Sequence, residues 1–248
     1  MKISRRDFLK WSVAAAVALK LELDFDRIDT VLAAETDPPI IWLQGAGCTG
    51  CTISTMNVTN PTTFDDFLLN KVSMKYNSTL MTAAGETAMQ SLENAANQYM
   101  GRFILVIEGA IPTGANGNYC VIGEHNGTHL TMQAALLKYG PMAKYVVAAG
   151  TCAAFGGLSA SAPNATQCIT VKTLLGTKAV NPVVNLPGCP VHPTVMIQTL
   201  LDLILKGMPS LDSYNCPRTY YSSGIHSSCP RKGAKMVTQP GIHGCYKN

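Results

Sequence analysis

Charged side chains are scarce in this sequence: Asp, Glu, Lys and Arg make up 14% of 248 residues, against roughly 25% in an average globular chain. A basic run interleaved with aromatics is also lacking, and 19 basic against 15 acidic residues leave a net charge of only +4. The electrostatic footprint of a nucleic-acid binder is therefore missing, and nucleic acid is not expected as a partner. There is no internal repeat and no low-complexity stretch. A 47% hydrophobic content excludes disorder. No apolar run reaches the roughly 20 uninterrupted residues that a membrane-spanning helix needs. Few ions and many apolar residues together imply a face covered by something else.

What is present begins with an address. Ser4-Arg5-Arg6-Asp7-Phe8-Leu9-Lys10 precedes a moderately apolar stretch from Trp11 to Leu23, interrupted by Lys20, and small residues follow at Ala33 and Ala34. This is the layout of a cleaved export signal over residues 1–34, and its arginine pair closely resembles a twin-arginine signal. A permanent anchor and a basic amphipathic helix are the weaker readings. The twin-arginine route carries proteins already folded in the cytoplasm, often because a cofactor was inserted there. A periplasmic location is expected.

Beyond Pro38, short apolar runs alternate with longer periodic segments. Ile40–Leu43, Val72–Tyr76, Phe103–Ile107, Tyr145–Ala149 and Pro182–Leu186 are rich in β-branched or aromatic residues and bounded by Gly, Asn or Pro, which predicts strands. Helices are predicted near Thr63–Leu69, Ala83–Met100, Met132–Tyr139 and Pro193–Lys206, where apolar residues recur at three and four. Continuous apolar strands separated by helices predict a parallel sheet covered on both faces, an open α/β domain of the doubly wound kind over residues 35–207. From Met208 the chain turns irregular, and residues 208–248 need a metal cluster or a neighbouring subunit to hold them.

Nine cysteines carry the strongest chemical signal. Cys48 and Cys51 follow the first predicted strand in Gly47-Cys48-Thr49-Gly50-Cys51, Cys152 follows the fourth, and Cys189 follows the fifth in Gly188-Cys189-Pro190. Ligands of open α/β sheets bind outside the carboxyl ends of the strands, so these four thiols are expected to converge. Four thiolates suit a tetrahedral zinc or a [4Fe–4S] cluster. Zinc usually takes two tight pairs, whereas one C-x2-C joined by two isolated cysteines favours iron and sulfide. A disulfide pair is disfavoured by the odd cysteine count and by folding in a reducing compartment. In the tail, His226 and Cys229 stand three apart and Cys245 follows, alone a weak signal. Cys120, Cys168 and Cys216 are expected to be ordinary thiols.

At this point the sequence resembles a family, the small electron-transferring subunits of [NiFe] hydrogenases. The residues that carry the resemblance are Trp42-Leu43 before C-T-G-C, Leu80–Gly85, Glu108-Gly109-Ala110-Ile111-Pro112, Gly150-Thr151-Cys152-Ala153, Pro187-Gly188-Cys189-Pro190 and Ile225–Cys229. The resemblance implies a flavodoxin-like open parallel sheet followed by an irregular, cluster-stabilised C-terminal segment, the start of a second iron–sulfur domain. It implies that Cys48, Cys51, Cys152 and Cys189 hold the proximal [4Fe–4S] cluster. His226, Cys229 and Cys245 match three of the four distal-cluster ligands, and the fourth is expected just past Cys245, so the sequence reads as truncated. The medial cluster is not expected to be encoded in this chain. Oxygen-tolerant members add two cysteines where this sequence has Gly50 and Gly157, so an ordinary four-thiolate cluster is expected. Glu124 departs from the family's usual glycine pair after Ile122.

The expected function is that of the electron-transfer subunit of a periplasmic uptake hydrogenase. Its expected partners are the nickel-bearing large subunit and a cytochrome-type electron acceptor, with membrane association only through further C-terminal sequence or a partner. The alternatives are an exported non-catalytic α/β binding protein with zinc or disulfides, and a respiratory NADH dehydrogenase-like iron–sulfur subunit. The second typically has adjacent cysteines where this chain has Cys48-Thr49-Gly50-Cys51.

Overall fold

The computed structural model describes residues 37–125 and 127–224. The export signal and His226, Cys229 and Cys245 lie outside the described residues. In chain order the elements are β1 (Pro39–Gln44), α1 (Gly50–Met56), α2 (Phe64–Asn70), β2 (Ser73–Asn77), α3 (Gly85–Gln98), β3 (Ile104–Glu108), β4 (Ile111–Pro112), β5 (Val121–His125) and β6 (Thr128–Thr131). They continue with α4 (Met132–Tyr139), β7 (Tyr145–Ala149), α5 (Gly150–Phe155), β8 (Cys168–Ile169), α6 (Val171–Leu175), β9 (Val184–Leu186), α7 (Pro193–Leu205) and α8 (Arg218–Tyr221).

The five strands expected from the apolar runs form one sheet in the order β2-β1-β3-β7-β9, every pair parallel. Counted along the chain this is the flavodoxin-like order, second-first-third-fourth-fifth. Side chains alternate across the pleat, so each apolar strand feeds two cores. Ile41, Leu43, Leu105, Ile107, Val146 and Ala148 pack under α3, α4 and α6. Ile40, Trp42, Ile104, Val106, Val147, Val184 and Leu186 pack under α1, α2 and α7. Burying each such aliphatic side chain contributes about 1.5–3 kcal/mol, which is why these runs read as unbroken apolar stretches.

The four helices expected from apolar periodicity appear as α2, α3, α4 and α7, while the shorter α1, α5, α6 and α8 were not expected, and two of the expected helices have ends with local causes. Thr131 caps α4 by accepting a hydrogen bond from the Ala134 N–H at 3.1 Å, and Pro193 opens α7 where a missing N–H costs nothing.

Two features were not anticipated. The first is the antiparallel hairpin β5–β6, in which His125 pairs with Thr128. It lies on α3 so closely that a Cβ at Gly123 would fall 2.2 Å from the Met89 sulfur. The second is the seating of residues 208–224 on the outer edge of the sheet. The β9 residue Asn185 donates its N–H to the Asn215 carbonyl at 2.9 Å and its side-chain amide to the Tyr214 carbonyl at 2.7 Å. Asn215 returns a side-chain N–H to the Val183 carbonyl at 3.1 Å, while Met208, Leu211 and Tyr221 pack on the second core. This part of the tail is therefore held by the open edge of β9. Among the described residues no helix is long and apolar enough to cross a membrane.

Candidate metal centre at the carboxyl edge of the sheet

Each of the four strand-end cysteines leaves the sheet on a glycine-containing turn. Cys48 follows β1, Cys51 sits in the first turn of α1, Cys152 lies in α5 directly after β7, and Cys189 follows β9. Cys48 and Cys189 are exposed, Cys152 is partly covered and Cys51 is buried. The four sense one another electrostatically. Burial pushes the Cys51 thiol up to about 12, with further upward pressure from Glu108, Cys48 and Cys152 opposing the Val191 N–H. Cys152 is raised by burial first, then by Cys189 and Cys48, against a lowering N–H from Leu158. Without a cation Cys51 and Cys152 favour their protonated thiols, and a bound soft cation is what would draw them to the thiolate form.

Three glycines form the wall behind the sulfurs. A Cβ at Gly150 would fall 2.4 Å from Cys51 Sγ, one at Gly157 would fall 2.7 Å from Cys152 Sγ, and one at Gly50 would lie 3.0 Å from Cys48 Sγ. Gly150 and Gly157 also have positive φ, 82° and 55°, which other residues adopt only at a cost. Gly50 and Gly157 thus border Cys48 and Cys152 directly.

Hydrogen bonds lock the cysteine-bearing turns together. The Glu108 carboxylate is buried at the end of β3 and accepts from the backbone N–H groups of Cys51 at 2.8 Å and Thr52 at 3.0 Å, and from the Thr52 hydroxyl at 2.5 Å. Thr151 N–H donates to the Gly188 carbonyl at 2.9 Å, and Gly188 N–H donates to Thr151 Oγ1 at 3.0 Å. This pair sews the residue before Cys152 to the residue before Cys189. Ser54 donates to the Val191 carbonyl at 2.7 Å, and Val191 N–H points at Cys51 Sγ at 3.5 Å.

Four thiols in electrostatic reach of one another are a donor set that suits a soft metal centre, either a single tetrahedral ion or a polynuclear iron–sulfur cluster. Among the described residues no three His, Cys, Asp or Glu side chains are already gathered about one point. All seven described cysteines are free. Cys168 is buried in β8 beside Thr166 Oγ1 at 3.2 Å, Cys216 is buried with its N–H on Asp212, and Cys120 is half-buried.

Sequence reasoning placed the thiols but gave Glu108 no role. An acidic residue ending a strand that is buried throughout was the available signal, because a buried carboxylate requires donors. Thr151 and Ser54 offered no signal, since their partners are remote in sequence.

The chain matches two known families, one described as NADH ubiquinone oxidoreductase, 20 Kd subunit, over residues 48–203, and one described as the twin-arginine translocation pathway signal sequence, over residues 2–21. It is 32% identical over 263 aligned positions to the periplasmic [NiFeSe] hydrogenase small subunit of Desulfomicrobium baculatum, covering 97% of this chain and 83% of that one. It is 36% identical to the quinone-reactive Ni/Fe-hydrogenase small chain of Wolinella succinogenes, covering 99% of this chain and 69% of that one. Among solved structures, the fold resembles the recombinant [NiFeSe] hydrogenase of Desulfovibrio vulgaris Hildenborough, with a TM-score of 0.74 at 38% identity, covering 79% of this chain and 73% of that one. It also resembles the reduced, active Ni-Fe-Se hydrogenase of Desulfomicrobium baculatum, with a TM-score of 0.75 at 34% identity, covering 83% and 81%.

Proposed function

The chain belongs to the family of hydrogenase small subunits, within the wider NADH ubiquinone oxidoreductase 20 Kd subunit family, and we propose that Cys48, Cys51, Cys152 and Cys189 hold the [4Fe–4S] cluster that receives electrons from H2 oxidation. The protein is the electron-transfer subunit of an exported, periplasmic hydrogenase and works with a separate large subunit. One observation supports the ligand assignment: thiols that follow three parallel strands lie at one sheet edge, closely bordered by Gly50, Gly150 and Gly157.

A cluster in this position supplies one-electron acceptance and release. The protein's own groups prepare the site for it. Val191 N–H and Leu158 N–H point at the sulfurs of Cys51 and Cys152 and stabilise their thiolate form. Glu108 fixes the turn from Cys48 to Cys51, and the Thr151–Gly188 pair fixes Cys152 relative to Cys189.

The segments that bear the cysteines also carry exposed apolar residues: Ile53 and Met56 on α1, Phe155 on α5, and Leu158 just beyond it. Leu158 is 89% exposed. Such a rim suits burial against the large subunit, which would shield the thiols from solvent and bring its own redox centre close. His226, Cys229 and Cys245 are assigned to a second, distal cluster on the family resemblance alone, with residues 208–248 as the region that begins it. The electron acceptor is assigned to the cytochrome class on the same ground.

Iron and acid-labile sulfide analysis of the purified two-subunit complex tests this reading. Roughly equal iron and sulfide, at four of each or more per small subunit, is expected for clusters of this type. Stoichiometric zinc without sulfide would overturn it.

A further inference from the structure

Cys189 is exposed, so its direction is set by the backbone on either side of it. On the far side, Val191 is held by Ser54 and Cys51. On the near side, Gly188 is held by Thr151 at the start of α5. The remaining tie comes from outside the sheet: the Tyr221 hydroxyl donates to the Pro187 carbonyl at 2.9 Å, bridging 34 positions of sequence.

Tyr221 ends α8, in the segment that Asn185 and Asn215 lash to β9. Its ring packs on the core beneath α7. Burial raises its phenol well above the ordinary tyrosine range, with a smaller electrostatic contribution from the sites of Cys216 and Cys51. It therefore remains a neutral O–H donor at any working pH.

We propose that Tyr221 is a positioning residue for the cluster: by holding the Pro187 carbonyl it fixes the Pro187–Cys189 turn, so that the seating of residues 208–224 governs how firmly Cys189 keeps its iron. The inference rests on the assignment of Cys189 as a ligand. Tyr221 also lies five residues before His226, so one hydroxyl joins the first cluster site to the segment that begins the second.

The test uses the two-subunit complex, with Tyr221→Phe compared against Tyr220→Phe, whose hydroxyl instead donates to Asp202 on α7 at 3.2 Å. Loss of the reduced-cluster electron paramagnetic resonance (EPR) signal is followed in the presence of an iron chelator. Tyr221→Phe is expected to release the first cluster about two- to tenfold faster, the effect of one net hydrogen bond, and to alter that cluster's EPR line shape. Tyr220→Phe is expected to match the wild type in both respects. Equal release from both variants, or wild-type kinetics and line shape in Tyr221→Phe, would overturn the inference while leaving the ligand assignment standing. Absence of any cluster signal from the wild-type complex would overturn both.

Discussion

The backbone nitrogen of Cys51 lies 2.8 Å from a carboxylate oxygen of Glu108, a residue 57 positions later in the chain. Through this contact the end of β3 determines how the C-x2-C turn after β1 presents its thiols. The same carboxylate takes two further hydrogen bonds from Thr52, so it is a buried charge satisfied by three donors, the arrangement that such burial requires.

Glu108→Gln keeps the shape but turns an NH2 group toward donors that need an acceptor. Leaving one such buried donor unpaired costs about 1–3 kcal/mol. The variant complex is expected to melt at lower temperature and to retain less iron than the wild type, as read by calorimetry and iron analysis. Unchanged iron content would show that the turn is held without Glu108.

Gly150→Ala isolates the fit of the cysteine wall from ordinary backbone strain. The new methyl group would fall 2.4 Å from Cys51 Sγ, whereas at Gly176, which also has positive φ, an added Cβ meets nothing within 4 Å. Both substitutions place a side chain at positive φ, 82° at Gly150 and 53° with ψ −120° at Gly176, so both carry a backbone cost. Only Gly150→Ala is expected to lose the visible sulfur-to-iron charge-transfer absorbance of the cluster, while Gly176→Ala lowers thermal stability alone.

A pH prediction follows from the contact between α3 and α4. Burial raises the Glu93 carboxyl, but hydrogen bonds from Lys138 at 2.6 Å, Tyr139 at 2.7 Å and Asn97 outweigh it and leave the group below its ordinary value of 4.5. A carboxyl whose folded-state pKa is depressed stabilises the fold above its unfolded pKa, and that contribution fades as pH falls through the folded value. Glu93→Gln is therefore expected to lower the melting temperature at pH 7, with the difference from wild type shrinking below about pH 4.5. A difference that grew in acid would reverse the sign of the assignment.

The parts of the molecule legible in the sequence are those governed by short-range pattern. Five apolar runs became the five strands because a parallel sheet buried on both faces admits few polar residues, and α4 falls on Met132–Tyr139 as its periodicity indicated. Cys48, Cys51, Cys152 and Cys189 could be grouped from strand ends because parallel topology brings those ends to one edge. The hairpin β5–β6 was less legible: its strands mix Val121 and Ile122 with Glu124 and His125, and its exposed positions give no clean alternation. The contacts that lock the site, Glu108 to Cys51, Thr151 to Gly188 and Asn185 to Asn215, join residues remote in sequence and have no local signature. The edge-strand latch made by Asn185 likewise shows itself only once residues 208–224 are seen beside β9.

The most direct measurement is the EPR spectrum of the dithionite-reduced two-subunit complex carrying Cys189→Ser, set beside Cys168→Ser. Cys189 is assigned as a ligand at the edge of the sheet, whereas Cys168 is buried in β8, and a hydroxyl is a poor substitute for a thiolate at a soft iron site. Loss of one reduced [4Fe–4S] component in Cys189→Ser and its retention in Cys168→Ser is the predicted result. Equal loss from both, or full retention in Cys189→Ser, would contradict the assignment of the strand-end cysteines to the cluster.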